Sequence, residues 1–149
     1  MFFFLCKAFV KNNDIDSYYI FCRYRRQIGA EHISILADIK KKHSAHAVTA
    51  DVDIAETAAA AQFFRADGLI VTGTATGCAA EPADLAAVAT TTPGLPVFVG
   101  SGVTAENLGQ FRSAAGLIVG TAFKRGGDWR NELDEERIRR IVEEARKFK

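Results

Sequence analysis

The chain has 149 residues, 48% of them hydrophobic and 25% charged, with a formal net charge of +1. This is the bulk and balance of one globular domain, which excludes global disorder, and the near-zero charge gives no overall field to draw the protein to nucleic acid or to an anionic membrane. Cys6, Cys22 and Cys78 lack C-x-x-C spacing and a His pattern for zinc, so the sequence names no metal and no cofactor, and reduced thiols in a cytosolic compartment are the simpler reading.

In chain order, the apolar opening Met1-Phe-Phe-Phe-Leu-Cys6 has no basic region before it and no small-residue cleavage site, and Lys7 interrupts it far short of a spanning length. Neither a signal peptide nor a transmembrane segment is expected. Phe2 to Val10 can form a strand, but residues 1–13 supply no preceding unit. The amphipathic stretch Ser17 to Ile28 predicts a helix that stops at Gly29. From about Ile33, short Val/Ile/Leu runs alternate with Ala- and charge-rich stretches of helical spacing. Strands are expected at Ile33–Ile39, Gly68–Thr72, Val97–Gly100 and Leu117–Gly120, and their continuous apolar character fits a parallel sheet covered on both faces. Asp53-Ile-Ala-Glu56 has the form of a capping box, and Ala58–Ala61 suits close helix packing. Thr104 can cap a helix beginning Ala105-Glu106-Asn107-Leu108. The last helix is expected from about Asp134, with Glu135 and Glu136 in its first turn and Lys147 and Lys149 at its end.

Consecutive βα units leave the open doubly wound sheet and the closed barrel as fold families. Gly100-Ser-Gly102 is not followed by the remainder of a dinucleotide fingerprint. A full eight-unit barrel typically needs about 250 residues, so the expected fold is α/β, a partial TIM-like barrel of about the last four units, forming one domain. An unclosed half leaves two strand edges that invite pairing. A homo-oligomer, or a missing N-terminal half, is therefore expected.

Chemistry is expected where strands end. By the two-residue period Leu36, Asp38 and Lys40 share one face and Ile35, Ala37 and Ile39 the other. Asp38 and Lys40 can serve as general base and electrostatic partner, or form a structural ion pair; Asp38 can also ligate a divalent metal. His43, in the following loop, can titrate near neutrality, as can His46 if the two meet, or both can face solvent. Thr72 and Gly73 open a run of small residues to Gly77 that either admits a ligand or makes a tight turn. Gly100, Ser101, Gly102, Gly120 and Thr121 lie at the ends of neighbouring strands and suit an anion such as phosphate, against a purely conformational need for glycine. Lys124 and Arg125 supply countercharge. Trp129 can stack on a ligand or plug the barrel end. No nucleophile elbow is present and Cys78 has no evident base, which disfavours acyl transfer.

Four ordered motifs carry a family resemblance: Ala37-Asp-Ile-Lys-Lys-Lys-His43, Val71-Thr-Gly-Thr-Ala-Thr-Gly77, Val99-Gly-Ser-Gly-Val-Thr104 and Ile118-Val-Gly-Thr-Ala-Phe-Lys-Arg-Gly-Gly-Asp-Trp-Arg-Asn131. Together they resemble the BtpA/SgcQ family from about Tyr18 to the C-terminus, with Arg23 to Ala30 similar to that family's helix before its fifth strand. The resemblance implies a TIM-like barrel akin to ribulose-phosphate-binding barrels, with strands five to eight represented here. The family takes its name from a cyanobacterial factor for photosystem I reaction-centre accumulation and has no settled reaction. The expected function is binding of a phosphorylated small molecule, a sugar phosphate or nucleotide. The alternatives are an assembly or stability factor for a membrane complex and an inactive truncated barrel.

Overall fold

The computed structural model describes residues 15–40, 51–73 and 78–148. His43, His46, Lys41, Lys42, Cys6, residues 2–10 and residues 74–77 lie outside them.

Helix α1, Ile15–Gln27, leads into the first strand. It ends where Gly29 takes a φ of +67°, and the N–H groups of Gly29 and Ala30 return to the carbonyls of Arg26 and Arg25. This paired ending satisfies carbonyls that the last turn leaves without intrahelical partners. Strand β1, Leu36–Ile39, begins later than its apolar run. The Asp67 carboxylate accepts the Ile35 N–H at 2.7 Å and also binds the Arg25 guanidinium. With Ile35's donor committed to a side chain, the ladder starts one residue on.

Helix α2, Ile54–Phe63, starts with the expected reciprocal box. The Glu56 N–H donates to the Asp53 carboxylate at 2.7 Å, and the Asp53 N–H donates to Glu56 Oε2 at 3.1 Å. Ala58 is fully buried, so the alanine run does allow close helix packing. Strand β2, Gly68–Thr72, and strand β3, Val97–Gly100, keep their expected bounds. Between them lies helix α3, Pro82–Thr91, with proline at its first turn and Leu85 and Val88 buried.

Two expectations shift after β3. Thr104 does not start an α-helix: its N–H donates to Asn107 Oδ1 at 2.8 Å, Asn107 Nδ2 donates to the Gly102 carbonyl at 2.8 Å, and only a 3₁₀ turn, Leu108–Phe111, follows. A side chain bonding its own neighbouring backbone competes with helix propagation. Strand β4, Gly116–Ile118, starts one residue early and stops two short of Gly120. Its neighbour ends in the row Gly100↔Ile118, and Ser101 then turns away with a φ of +72°, leaving Val119 and Gly120 no ladder partner there. Helix α4, Glu135–Arg146, is capped by Asp134, whose carboxylate accepts from the Glu136 and Arg137 N–H groups.

The four strands are parallel and their spatial order equals their chain order, β1-β2-β3-β4. Cross-strand rows separate two faces. Ala37, Leu69 and Val97 form one row and Ile39, Val71, Val99 and Leu117 another; both belong to the hydrophobic core, with Ala58, Leu85, Val88, Leu108, Phe111 and Ile141 from the covering segments. Asp38, Ile70, Phe98 and Gly116 form a row on the opposite face. That face stands apart from the core: its Leu36, Phe98 and Ile118 are half-buried and contribute nothing to the helix-packed cluster. Burial therefore fixes register from one side only, since a one-residue slip would turn Ile39, Val71 and Val99 out of the core.

Candidate functional site

Each strand delivers its last residues to the same end of the sheet. On β1, Asp38 lies on the face opposite the core, and the Thr72 hydroxyl of β2 donates to Asp38 Oδ1 at 3.3 Å. Lys40 follows the strand with a φ of +46°, so the alternation that sequence alone extended to Lys40 ends with β1 at Ile39. One row toward the strand ends, Thr72 pairs with Gly100 and Gly100 with Ile118. A Cβ at Gly100 would approach Ile70 Cγ2 to 3.2 Å and Thr72 Cγ2 to 3.3 Å, placing these small residues together on that face. Sequence reasoning joined Asp38 with Lys40 and His43; the structure joins Asp38 with Thr72, and His43 lies outside the described residues.

Two of the named glycines answer to the protein's own packing. A Cβ at Gly73 would sit 2.2 Å from the Cys78 carbonyl oxygen, and one at Gly102, where φ is +65°, would sit 2.4 Å from the Ala79 N. The loop after β2 thus lies directly against the loop after β3. Gly120 is different: it is exposed, and a Cβ there would meet nothing within 4 Å. Ser101, left-handed without being glycine, carries the strain at this corner; such a conformation costs on the order of 1–2 kcal/mol and persists where surrounding structure holds it. Asn107 does the holding through Gly102 and Thr104. Sequence reasoning missed that role, whose signal was an Asn five residues after a glycine turn.

Beyond β4, Thr121 opens a 3₁₀ turn, Thr121–Phe123. The Ala122 carbonyl accepts from Arg137 Nε at 2.9 Å and the Phe123 carbonyl from the Asp134 N–H at 2.8 Å, which ties the loop to the start of α4. Lys124 is half-buried and bridges antiparallel to Leu133. The segment Asp128-Trp-Arg-Asn131 is a clip. Arg130 donates to both Asp128 oxygens, from Nη2 at 2.6 Å and from Nε at 3.0 Å, while Asn131 Nδ2 donates to the Arg125 carbonyl at 2.9 Å. The guanidinium holds the Asp128 carboxyl below the usual carboxylate range, and Asp128 in turn raises Arg130. Trp129 is 68% exposed and plugs nothing among the described residues. Cys22 is half-buried and its Sγ donates to the Phe64 carbonyl at 3.5 Å, while Cys78 is exposed.

The loops after β3 and β4 carry Ser101, Gly102, Gly120 and Thr121 at the same end of the sheet as Asp38. Strand ends of parallel sheets are where α/β folds commonly bind their ligands. Among the described residues no cluster of three His, Cys, Asp or Glu is placed to hold a metal ion.

Comparison with known proteins gives this arrangement its relatives. The family model described as "BtpA family" matches residues 13–147. An uncharacterised mitochondrial protein of Caenorhabditis elegans is 48% identical over 127 residues, covering 85% of this chain and 46% of that protein. The photosystem I biogenesis protein BtpA of Synechocystis sp. is 36% identical over 122 residues, covering 81% of this chain and 42% of its own. An uncharacterised protein of Pyrococcus abyssi is 38% identical over 111 residues, covering 74% and 41%. The chain therefore spans under half the length of these curated relatives.

Proposed function

This chain belongs to the BtpA family, and we propose that it forms a segment of a TIM-like barrel wall that binds a phosphorylated small molecule, a sugar phosphate or nucleotide, at the C-terminal ends of its strands. The observation that carries the reading is the convergence of Asp38, Thr72, Ser101 and Gly102 at one end of the sheet, with Asp38 and Thr72 bonded to each other on the face the core leaves unused. Spatial order equal to chain order supports a barrel wall, because a doubly wound sheet reverses its order at a switch point and this one does not.

In this reading the backbone around Gly100, Ser101, Gly102, Gly120 and Thr121 receives the phosphate, Lys124 supplies countercharge, and Thr72 with Gly73 shapes the adjoining wall. Asp38, oriented by Thr72, faces the reacting end with Lys40 just beyond it, and His43 is assigned to the same end from the sequence alone. Asp38 is suited to accept a proton from a substrate carbon or hydroxyl held a few ångströms from the phosphate. The reaction itself is left unnamed by these residues.

A thermal-melt screen of sugar phosphates and nucleotides tests the reading. A ligand at a hundred times its Kd stabilises by about 2.7 kcal/mol, which raises the melting temperature measurably. Gly120→Asp places a negative charge where a Cβ meets nothing within 4 Å. That variant should melt like the wild type without ligand and lose the ligand response. A screen that moves no melting temperature, or a response that Gly120→Asp retains, overturns the proposal.

A second reading comes from the name of the Synechocystis relative, a photosystem I biogenesis protein: a non-enzymatic factor that assists assembly of a membrane protein complex. It predicts that Asp38→Ala and Gly120→Asp still complement a deletion strain, whereas the binding reading predicts that both fail. The cytosolic location expected from the thiols gains no support from the C. elegans protein, which is named mitochondrial. Among the described residues no helix is long and apolar enough to cross a membrane.

A further inference from the structure

We infer that Trp129 is a base-stacking platform and that the phosphorylated ligand of this chain is a nucleoside phosphate, with its base against the indole and its phosphate at the strand ends. The inference rests on the phosphate site proposed above and chooses between the two ligand classes named there.

A single exposed apolar side chain is common on protein surfaces and by itself calls for no explanation. What sets Trp129 apart is how its backbone is held. It takes the second position of a turn, 128–131, closed by the Asn131 N–H donating to the Asp128 carbonyl at 3.0 Å. Within that turn the Arg130 N–H donates to Asp128 Oδ1 at 3.0 Å, and the Arg130 guanidinium grips the same carboxylate. At the base of the turn the Arg125 carbonyl accepts from both the Asp128 N–H and Asn131 Nδ2, while the Arg125 N–H donates to the Glu132 carbonyl at 3.0 Å. None of these bonds uses the indole. The result is a stiff mount for a large aromatic face that stays exposed among the described residues, although the hydrophobic effect favours burying it. With only two side-chain torsions left to order, such a face gives a large contact area at low entropic cost.

The mount is continuous with the proposed phosphate loop. The Lys124 N–H donates to the Thr121 carbonyl and the Gly127 N–H to the Lys124 carbonyl, each at 3.0 Å, so the chain from Thr121 to the turn is bonded step by step. Lys124 also bridges to Leu133 behind the turn. Charge on this stretch favours an anion. Asp128 is met by Arg130, and of the charges left between Thr121 and Leu133, Lys124 and Arg125 outnumber Glu132. An aromatic face joined to cations is the combination that holds a base and its phosphate. A nucleoside phosphate uses both features, whereas a sugar phosphate brings no flat π face to the indole.

Trp129 is the only tryptophan, so the fluorescence of the 149-residue chain reports on this side chain alone. AMP, GMP, CMP and UMP are titrated beside ribose 5-phosphate and inorganic phosphate, with affinities taken from calorimetry. At least one nucleotide is expected to quench the emission saturably and to bind about tenfold more tightly than ribose 5-phosphate, the scale of one base–aromatic stack. Trp129→Ala should melt like the wild type, since the side chain is exposed, and should erase the difference between that nucleotide and ribose 5-phosphate. Trp129→Phe should keep most of it. Asp128→Ala unties Arg130 while leaving the indole present, and should lower nucleotide affinity by a smaller factor through lost pre-organisation. Nucleotides that bind no more tightly than ribose 5-phosphate, or a nucleotide whose affinity survives Trp129→Ala, overturn the inference and leave the phosphate site standing. A chain that binds none of these compounds also overturns it, and the wider thermal-melt screen then decides the phosphate site.

Discussion

Gly29 and Arg65 hold the same place in two helix endings. After α2 the N–H groups of Arg65 and Ala66 return to Gln62 and Ala61, as those of Gly29 and Ala30 return to Arg26 and Arg25, and both residues have a φ of +67°. Glycine meets this conformation freely and arginine does not. Arg65→Gly is therefore expected to stabilise the protein by about 1 kcal/mol, read as a rise of a few degrees in melting temperature. Gly102→Ala should do the reverse, since its methyl would meet the Ala79 backbone, and its melt should fall well below that of Gly120→Ala. The sequence placed Gly102 and Gly120 together as anion loops; that Gly120 alone of the two is free of a packing demand depends on the loop after β2 lying against Gly102, which spacing along the chain does not report. Exposed charge adds a pH effect. With the Asp128 carboxyl lowered by Arg130 and that of Glu106 lowered by the Thr104 hydroxyl, its own backbone and Arg140, both groups favour the folded state above their unfolded pKa, and that contribution is lost as pH falls through the folded values. Melting temperature should drop on acidification below the ordinary carboxylate range, and Asp128→Asn should flatten part of that drop.

Local chemistry accounts for the elements that the sequence made legible. The Asp53 and Glu56 box, the stop at Gly29 and the Asp134 cap each depend on residues within one turn, and each stands as expected. Asp53→Ala should cost about 1 kcal/mol, the usual loss of an N-cap acceptor, measured by chemical denaturation. Strands β2 and β3 were equally readable because both are flanked by neighbours and buried. The shortened β1 and β4 were not, for each is limited by a partner: Asp67 takes the donor of Ile35, and Ser101 withdraws β3 from the row beyond Ile118. At the Thr104 turn the sequence showed a capping residue but not that Asn107 would claim its N–H. Asn107→Ala removes two hydrogen bonds that hold the Gly102 turn, and is expected to destabilise the fold by about 1–3 kcal/mol while weakening ligand binding without touching the ligand.

At the scale of the whole molecule, the decisive fact is that one sheet face is packed by helices while the other carries Asp38, Thr72 and Gly100 among apolar residues outside that core. Alternation along β1 made this face legible from sequence, and the runs ending β2, β3 and β4 marked the end of the sheet at which the small residues gather. The pairing of Asp38 with Thr72 was not legible, since it depends on the register between two strands. The most direct measurement is a residue-resolved amide NMR titration with inorganic phosphate. The account predicts saturable shifts concentrated at Ser101, Gly102, Gly120 and Thr121, and absent in Gly120→Asp. Shifts that fail to saturate, or that gather at surface lysines away from the strand ends, would contradict it.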